Sequence, residues 1–494
     1  MVLVSHIRRF SQNIYRGTIF ALSSGFGKCG VAVIRVSGPH VRSTIMSLTG
    51  RSRLPRPRQA TLANLYNPTN RDHLDKALVL WFPGPNSFTG EDTCEYHVHG
   101  GPAVIQAIHA ALGKLQGLRP AETGEFTKRA FLNGKLDLTE VEGLGDLIHA
   151  ETEAQRKQAL RQMKGDLSRL YQMWTDKLLK CVAHIEAFID FSEEENIEDD
   201  ILEKARIQVG HIHAEICHHL ADKRCGERLR DGVHVTILGH PNVGKSSLLN
   251  DICQRPAAIV SPTAGTTRDV IETTVNIGGY PVILSDTAGV RHSEDSVEIE
   301  GIKRAKESAH EADVVILMTD ALEAAQHSVS TLSFRTYLSN VSTSLNPEAS
   351  SLDYMIVINK SDVVPVESSY KLKHLIQELN GSEKQRHDND DYMHCCLISC
   401  KTGEGIEDLL SILAKKVEHM CINPQSHSPS LTQQRHRHHL EQATAALEDF
   451  FHQSDVVLAA VYLRISLRQL GKITGKVGAE DILDVVFKDF CIGK

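Results

Sequence analysis

No CxxC pair occurs among the eleven cysteines, and the adjacent Cys395 and Cys396 cannot easily form a disulfide framework, so the thiols read as reduced in a reducing compartment. A basic excess is missing too. The chain has 54 Lys+Arg against 62 Asp+Glu, a formal net charge of -8, which excludes coating nucleic acid by bulk charge and leaves any such partner to a local patch. No uninterrupted apolar run reaches the length of a membrane span, so no membrane-spanning segment is expected. Acidic residues are absent before Asp72, and the opening MVLVSHIRRFSQNIYR carries Arg8, Arg9 and Arg16. That composition reads as a transit segment over residues 1–16, with a basic N-terminal tail as the alternative.

What is present falls into four stretches. From about Thr18 to Phe82, apolar runs such as GVAVIRVSG and KALVLWFP alternate with Gly, Pro and Asn, which predicts a strand-rich N-terminal domain over 17–137. GGPAVIQAIHAALGKL supplies a helix within it. Beyond Thr139, Leu160, Met163, Leu167, Leu170, Trp174, Cys181, Ile185 and Phe188 recur at helical spacing, so 138–230 reads as the first part of a helical domain. The acidic run SEEENIEDD near Ser192 reads as a solvated break in it. From 231 to 420 the strands VHVTILG, VILSD, DVVILMTD, YMIVINK and CCLIS alternate with helical stretches, the pattern of a doubly wound, mainly parallel sheet. The Ser-, Thr- and Asn-rich segment from Ala324 to Leu352 reads as a disordered surface insertion. Residues 421–494 are helical again, with Leu440, Ala443, Leu447, Phe450, Val457 and Val461 expected on one face. The expected fold class is therefore multidomain, α/β and α, with the sheet domain inserted into one helical bundle.

GHPNVGKSS, between a strand and the helix start SSLLNDI, fits a phosphate-binding loop. Its N–H groups and the helix N-terminus converge on one spot, so Asn242, Val243, Gly244, Lys245, Ser246 and Ser247 are expected to hold a polyphosphate. Lys245 reaches the β and γ phosphates, and the Ser246 hydroxyl coordinates Mg²⁺. NKSD supplies Asn359, Lys360 and Asp362, whose carboxylate accepts from the ring N–H and amino group of guanine, so GTP rather than ATP is expected. Ser399, Cys400 and Lys401 follow the next strand and back the base; an ordinary surface turn at NKSD is the alternative. DTAG (Asp286, Thr287, Ala288, Gly289) supplies a carboxylate near Mg²⁺ and an N–H that senses the γ-phosphate. GTTRD supplies Thr267, whose hydroxyl closes on the metal.

A further absence lies just after DTAG. Ras-like enzymes orient the attacking water with a Gln there, whereas this chain has Val290, which cannot. No arginine finger is evident, so charge developing between the β and γ phosphates needs another neutraliser. The Asn242 side-chain carbonyl, with carbonyls of SPTAGTT, can hold a monovalent cation there; the alternative is that Asn242 only braces its own loop.

NxGKS, GTTRD and DTAG together resemble the translation-factor-related GTPases. DFCIGK, FTGEDTCEYHVHGG and GEFTKRAFLNGKLDLTEVEGLGDLI narrow this to a close resemblance to the MnmE (TrmE) tRNA-modification GTPases, and the Arg-rich leader points to their mitochondrial branch. The resemblance spans nearly everything from Thr18 to Lys494. It implies a homodimer built through N-terminal domains that bind a folate one-carbon donor, 5-formyl- or methylene-tetrahydrofolate, and a G domain activated by potassium-dependent dimerisation. The folate contacts carry over onto Arg35, Glu95, Lys135 and Lys494: a carboxylate suits the amino-pyrimidine edge of a pterin, and cations suit its carboxylated tail.

For K⁺ the matching positions are Asn242 and Thr266 by side chain, with Ser261 and Thr263 through backbone oxygens; for Mg²⁺ they are Ser246 and Thr267. The water-orienting acid aligns with Glu298, which otherwise reads as the first turn of an amphipathic helix. Cys491 is implied near the modification site as nucleophile or acid, with a small hydrophobe closing the last helix as the alternative. The implied reaction installs an aminomethyl-type group, taurinomethyl in the mitochondrial matrix, on C5 of the wobble uridine of mitochondrial tRNA, jointly with an FAD-dependent MnmG-type partner. A ribosome-assembly GTPase, or a regulatory switch without a role in RNA chemistry, is the rival reading. QRHRHH near Arg435 reads as a phosphate contact or as a solvated helix start.

Overall fold

The computed structural model describes residues 17–25, 27–191, 200–254, 272–286, 312–345, 353–382, 394–422 and 429–477, together with Phe490 and Gly493. The chain falls into two compact units: Met1–Ile148, Leu160–His213 and His439–Lys494 form one, His149–Ala159 and Ala214–His438 the other. Among the described residues every cysteine is a free thiol, and no helix is long and apolar enough to cross a membrane.

In the first unit β1 (Thr18–Leu22), β2 (Cys29–Ser37), β3 (Thr61–Tyr66), β4 (His73–Phe82), β5 (Thr93–Gly100) and β6 (Leu118–Pro120) form one sheet in the order β3-β4-β5-β2-β1-β6. Only β6 runs parallel to its neighbour. Alternation along each strand decides which face is covered: Asp75, Ala77, Val79 and Trp81 of β4 are buried, while Lys76 and Leu78 between them are exposed. α1 (Val41–Thr49) and α2 (Pro102–Gly113) cover the buried face, where Ile45, Leu48, Ile108 and Leu112 pack with Ile34, Val36, Tyr96 and Val98. The same alternation turns Arg35 and Glu95 to the opposite face. α3 (Glu125–Leu132), α4 (Leu138–His149), α5 (Glu153–Met163), α6 (Asp166–Phe191) and α7 (Asp200–Leu220) follow, α5 and α7 each running across the division between the units. Along α6, Leu167, Tyr171, Trp174, Leu178, Cys181, Val182 and Ile185 are buried at three- and four-residue spacing, one stripe of a long amphipathic helix.

In the second unit α8 (Cys225–Asp231) leads into β7 (Val233–Gly239), α9 (Lys245–Cys253), β8 (Glu272–Ile277), β9 (Tyr280–Asp286) and β10 (Val314–Asp320). α10 (Ala321–Gln326), α11 (Thr331–Leu345), β11 (Asp353–Asn359), α12 (Val366–Ser382), β12 (His394–Leu397) and α13 (Ile406–Cys421) complete it. The sheet order is β12-β11-β10-β7-β9-β8, parallel throughout except for the edge strand β8. Val314 to Thr319 of β10 are all buried, which explains why that strand reads as an unbroken apolar run: helices cover both of its faces. α13 packs Leu409, Leu413 and Val417 with Val235, Ile237 and Ile316. Phe334, Leu338, Leu372 and Leu379 pack with Leu238, Val315 and Ile356 on the other face.

Three expectations need correction. Residues 324–345 are no disordered insertion: α11 buries Phe334, Tyr337, Leu338 and Val341, a helical stripe that outweighs the polar residues between them. Residues 346–352 lie outside the described residues. The C-terminal segment is two helices, α14 (Gln434–His452) and α15 (Val456–Thr474), because the Asp455 carboxylate caps a new helix by accepting from the Val457 and Leu458 amides. Leu440, Ala443, Leu447 and Phe450 are buried as expected, but the break leaves Val457 and Val461 exposed. QRHRHH is not a wholly solvated start: Gln434 and His438 are exposed, but His436 is fully buried and Arg437 is held at 2.7 Å by Glu227 and 2.6 Å by Asp222.

Candidate functional site

β7 ends at Gly239, where a Cβ would lie 2.5 Å from the Met318 carbonyl, so the chain turns away beside β10 only without a side chain. At Asn242 the backbone is left-handed, with φ of 62°; asparagine tolerates that region, so the turn accounts for this residue independently of any ion. Gly244 has φ of 104°, and a Cβ there would run into the Asn359 amide. Lys245 opens α9 and curls back over the loop, its ammonium donating to the carbonyls of Gly239 at 2.8 Å and His240 at 3.0 Å. Ser246 and Ser247 are exposed in the first helical turn. A cation, a helix N-terminus and two hydroxyls thus face the same solvent, donors that fit a polyphosphate and its Mg²⁺.

Asn359, the last residue of β11, is 2% exposed. Its Nδ2 donates to the Val243 carbonyl at 2.8 Å, and its Oδ1 accepts from the Cys400 amide at 3.1 Å. One side chain therefore ties the phosphate loop to the base-backing loop. Burial pushes the Cys400 thiol up to about 11, so it is a packing group rather than a nucleophile. Lys360 has a left-handed φ of 70°, and its ammonium pairs with Asp320 at 2.7 Å. The Ser399 hydroxyl donates to Asp362 at 2.6 Å and holds that carboxyl below the usual range, with Lys401 3.9 Å away. An ionised Asp362 only accepts hydrogen bonds, which suits the donor edge of guanine.

In the first unit Arg35 and Glu95 are register partners and pair at 3.0 Å. The Arg35 guanidinium lies 5.4 Å from the Phe88 ring centre and 5.7 Å from that of Phe126, giving a cation near two rings with a carboxylate paired to it, which fits a flat heterocycle with an amino edge. The loop carrying Phe88 is anchored from below. Arg129, 2% exposed, pairs with Glu91 at 2.9 Å and with Glu125 at 3.0 Å; Glu91 also accepts from the Ser37 hydroxyl at 2.9 Å. Asn133 donates to the Thr89 carbonyl at 2.7 Å, and the Lys135 stem lies against Gly90. Burial works to raise the Glu125 pKa, but hydrogen bonds from Arg119, the Glu122 amide and Arg129 prevail and leave it below the usual range.

Arg35, Glu95 and Lys135 thus stand around one loop, and the candidate nucleotide residues 242–247, 359–362 and 399–401 around the Asn359 bridge. Ser261, Thr263, Thr266, Thr267, Thr287, Ala288, Gly289, Glu298, Cys491 and Lys494 lie outside the described residues, as does the side chain of Asp286 at the end of β9. Sequence reasoning missed Phe88, Phe126, Glu91 and Arg129. All four stand inside the motifs FTGED and EFTKR, but no spacing shows that those motifs touch.

The model of the TrmE N-terminus matches residues 18–135, and that of the MnmE helical domain matches residues 138–491. The mitochondrial 5-taurinomethyluridine-tRNA synthase subunit of Danio rerio is 52% identical over 97% of this chain and 93% of its own length, and that of Homo sapiens 49% identical over the same shares. The tRNA modification GTPase MnmE of Paramagnetospirillum magneticum is 45% identical over 97% of this chain and 99% of its own. With the two models matching 18–135 and 138–491 and relatives of 45–52% identity aligned over 97% of the chain, the chain belongs to the MnmE (TrmE) family.

Proposed function

We propose that the chain is the GTP-hydrolysing subunit of the mitochondrial system that modifies C5 of the wobble uridine in tRNA, with a taurinomethyl-type group as product. It works as a homodimer with an FAD-dependent MnmG-type partner and a tetrahydrofolate one-carbon donor in the matrix. GTP is held by residues 242–247, 359–362 and 399–401, with Mg²⁺ on Ser246 and Thr267. K⁺, on Asn242, Ser261, Thr263 and Thr266, neutralises the charge that an arginine finger would meet, and Glu298 orients the attacking water. Arg35, Glu95, Lys135 and Lys494 hold the folate, and Cys491 serves the modification step.

The observation that carries this reading is the Asn359 bridge between phosphate loop and base loop, in a chain whose relatives are named for tRNA modification along its full length. Mass spectrometry of mitochondrial tRNA nucleosides tests it: depletion removes the modified wobble nucleoside, wild-type chain restores it, and an Asp362→Ala variant does not. An unchanged nucleoside profile after depletion refutes the proposal. The potassium part is separable, since equal GTP turnover in K⁺ and Na⁺ buffers would remove it and leave the rest.

A further inference from the structure

In a protein of net charge -8, residues 51–58 between α1 and β3 read RSRLPRPR. Arg51, Arg53, Arg56 and Arg58 are all exposed, and Arg71, exposed at the tip of the β3–β4 hairpin, reaches back to within 3.5 Å of the Cβ position of Gly50. Among the described residues none of these five has a carboxylate partner. Arg51 donates to the Leu62 carbonyl at 3.0 Å, and Arg58 donates to the Asn86 carbonyl and lies 5.7 Å from the Phe82 ring centre, so both keep their full charge. Several surface arginines elsewhere are neutralised, Arg156 by Glu153, Arg169 by Asp166, Arg230 by Asp231 and Arg464 by Glu186, and those without an acid among the described residues, such as Arg161 and Arg468, stand singly rather than in a run.

Backbone does not explain the choice of residue either. Arg58 and Arg71 have left-handed φ of 59° and 62°, where glycine or asparagine fits more easily. Pro55 and Pro57 stiffen the loop that presents the other cations. A two-fold contact between copies through this border would set arginine against arginine, which disfavours a second copy as its occupant. Forked guanidiniums without protein acids fit phosphodiesters.

We propose that this arginine border along the edge strand β3 docks the phosphate backbone of the RNA substrate, an inference that rests on the tRNA reading above. In the sheet order the Arg35–Glu95 pair lies two to three strands inward, roughly 10–15 Å, so a backbone held on the edge leaves neighbouring nucleotides within reach of it. The full-length chain and the Arg53→Glu/Arg56→Glu variant are titrated with an unmodified mitochondrial tRNA transcript across a salt series.

Expected is affinity about tenfold weaker at 0.1 M salt, a slope of log affinity against log salt smaller by about 1.5–2, and unchanged GTP turnover and thermal midpoint. Tight tRNA binding by wild type with no change in the variant overturns the docking site while leaving the tRNA reading intact. Absence of tRNA binding by wild type overturns both. Phenylglyoxal modification of the wild-type chain gives a readout free of any folding defect: bound tRNA protects Arg53 and Arg56. Their unprotected reaction, or protection by phosphatidylserine vesicles but not by tRNA, overturns the proposal.

Discussion

The Ser23 hydroxyl donates to the carbonyl of Gly493, 2.8 Å away and 470 residues further along the chain. Gly493 has φ of 99°, and a Cβ there would collide with the Leu22 carbonyl, so this position seats on the end of β1 only as glycine. Gly493→Ala is expected to unseat it: carboxypeptidase trims the tail faster, while GTP turnover holds. Trimming at the wild-type rate would contradict this.

Asp362→Asn replaces a pure acceptor with a group that also donates. Two charge-assisted hydrogen bonds to guanine are lost, roughly a hundredfold or more in affinity, and the new amide suits the carbonyl of xanthine. Calorimetry with GTP and XTP should show the preference inverted; retained GTP selectivity would mean that another group reads the base.

Asn359→Asp keeps the acceptor for the Cys400 amide but sets a buried carboxylate against the Val243 carbonyl. A loss of about 3 kcal/mol follows, together with loss of nucleotide binding. Denaturant titration and nucleotide fluorescence check the two effects; wild-type values for both would show that the bridge is dispensable.

Glu125 has its pKa lowered in the fold, so its contribution is present above its ordinary value of 4.5 and is lost as pH falls from there through the lowered folded value. Glu125→Gln is expected to cost about 3 kcal/mol at neutral pH, by leaving Arg129 half compensated, and to flatten the acid limb of the stability profile. Thermal midpoints of both proteins across that range measure it; parallel curves would exclude the linkage.

Phe334→Ala removes a fully buried ring from α11 and is expected to destabilise the second unit by about 3–5 kcal/mol. A loss below about 1 kcal/mol, by guanidinium unfolding, would return this segment to the status of a surface insertion.

How legible a feature was depended on how local its cause is. The strand from Val314 to Asp320 and the loop from Gly239 to Ser246 announce themselves because burial on both faces and the close approach of Met318 and Asn359 restrict residue type within a few positions. α11 was misread because its four buried side chains are diluted by serine and threonine, and only the packing surface of β10 and β11 makes them decisive. The break before α15 rests on one capping carboxylate, a weak signal inside an apolar periodicity. At the site, Asn359 and Asp362 were readable as a motif, whereas the Ser399 hydroxyl that orients the acid is a tertiary contact. The Phe88–Arg35–Phe126 arrangement joins three distant segments, and nothing in their spacing reveals it.

Arg129, itself almost fully buried, grips carboxylates from two separate segments at once, the half-buried Glu91 and the buried Glu125. Across lineages, the three positions are therefore bound to drift as a set: a family member that has given up the acid at 91 should also have surrendered the cation at 129, and single departures should be rare among its living descendants.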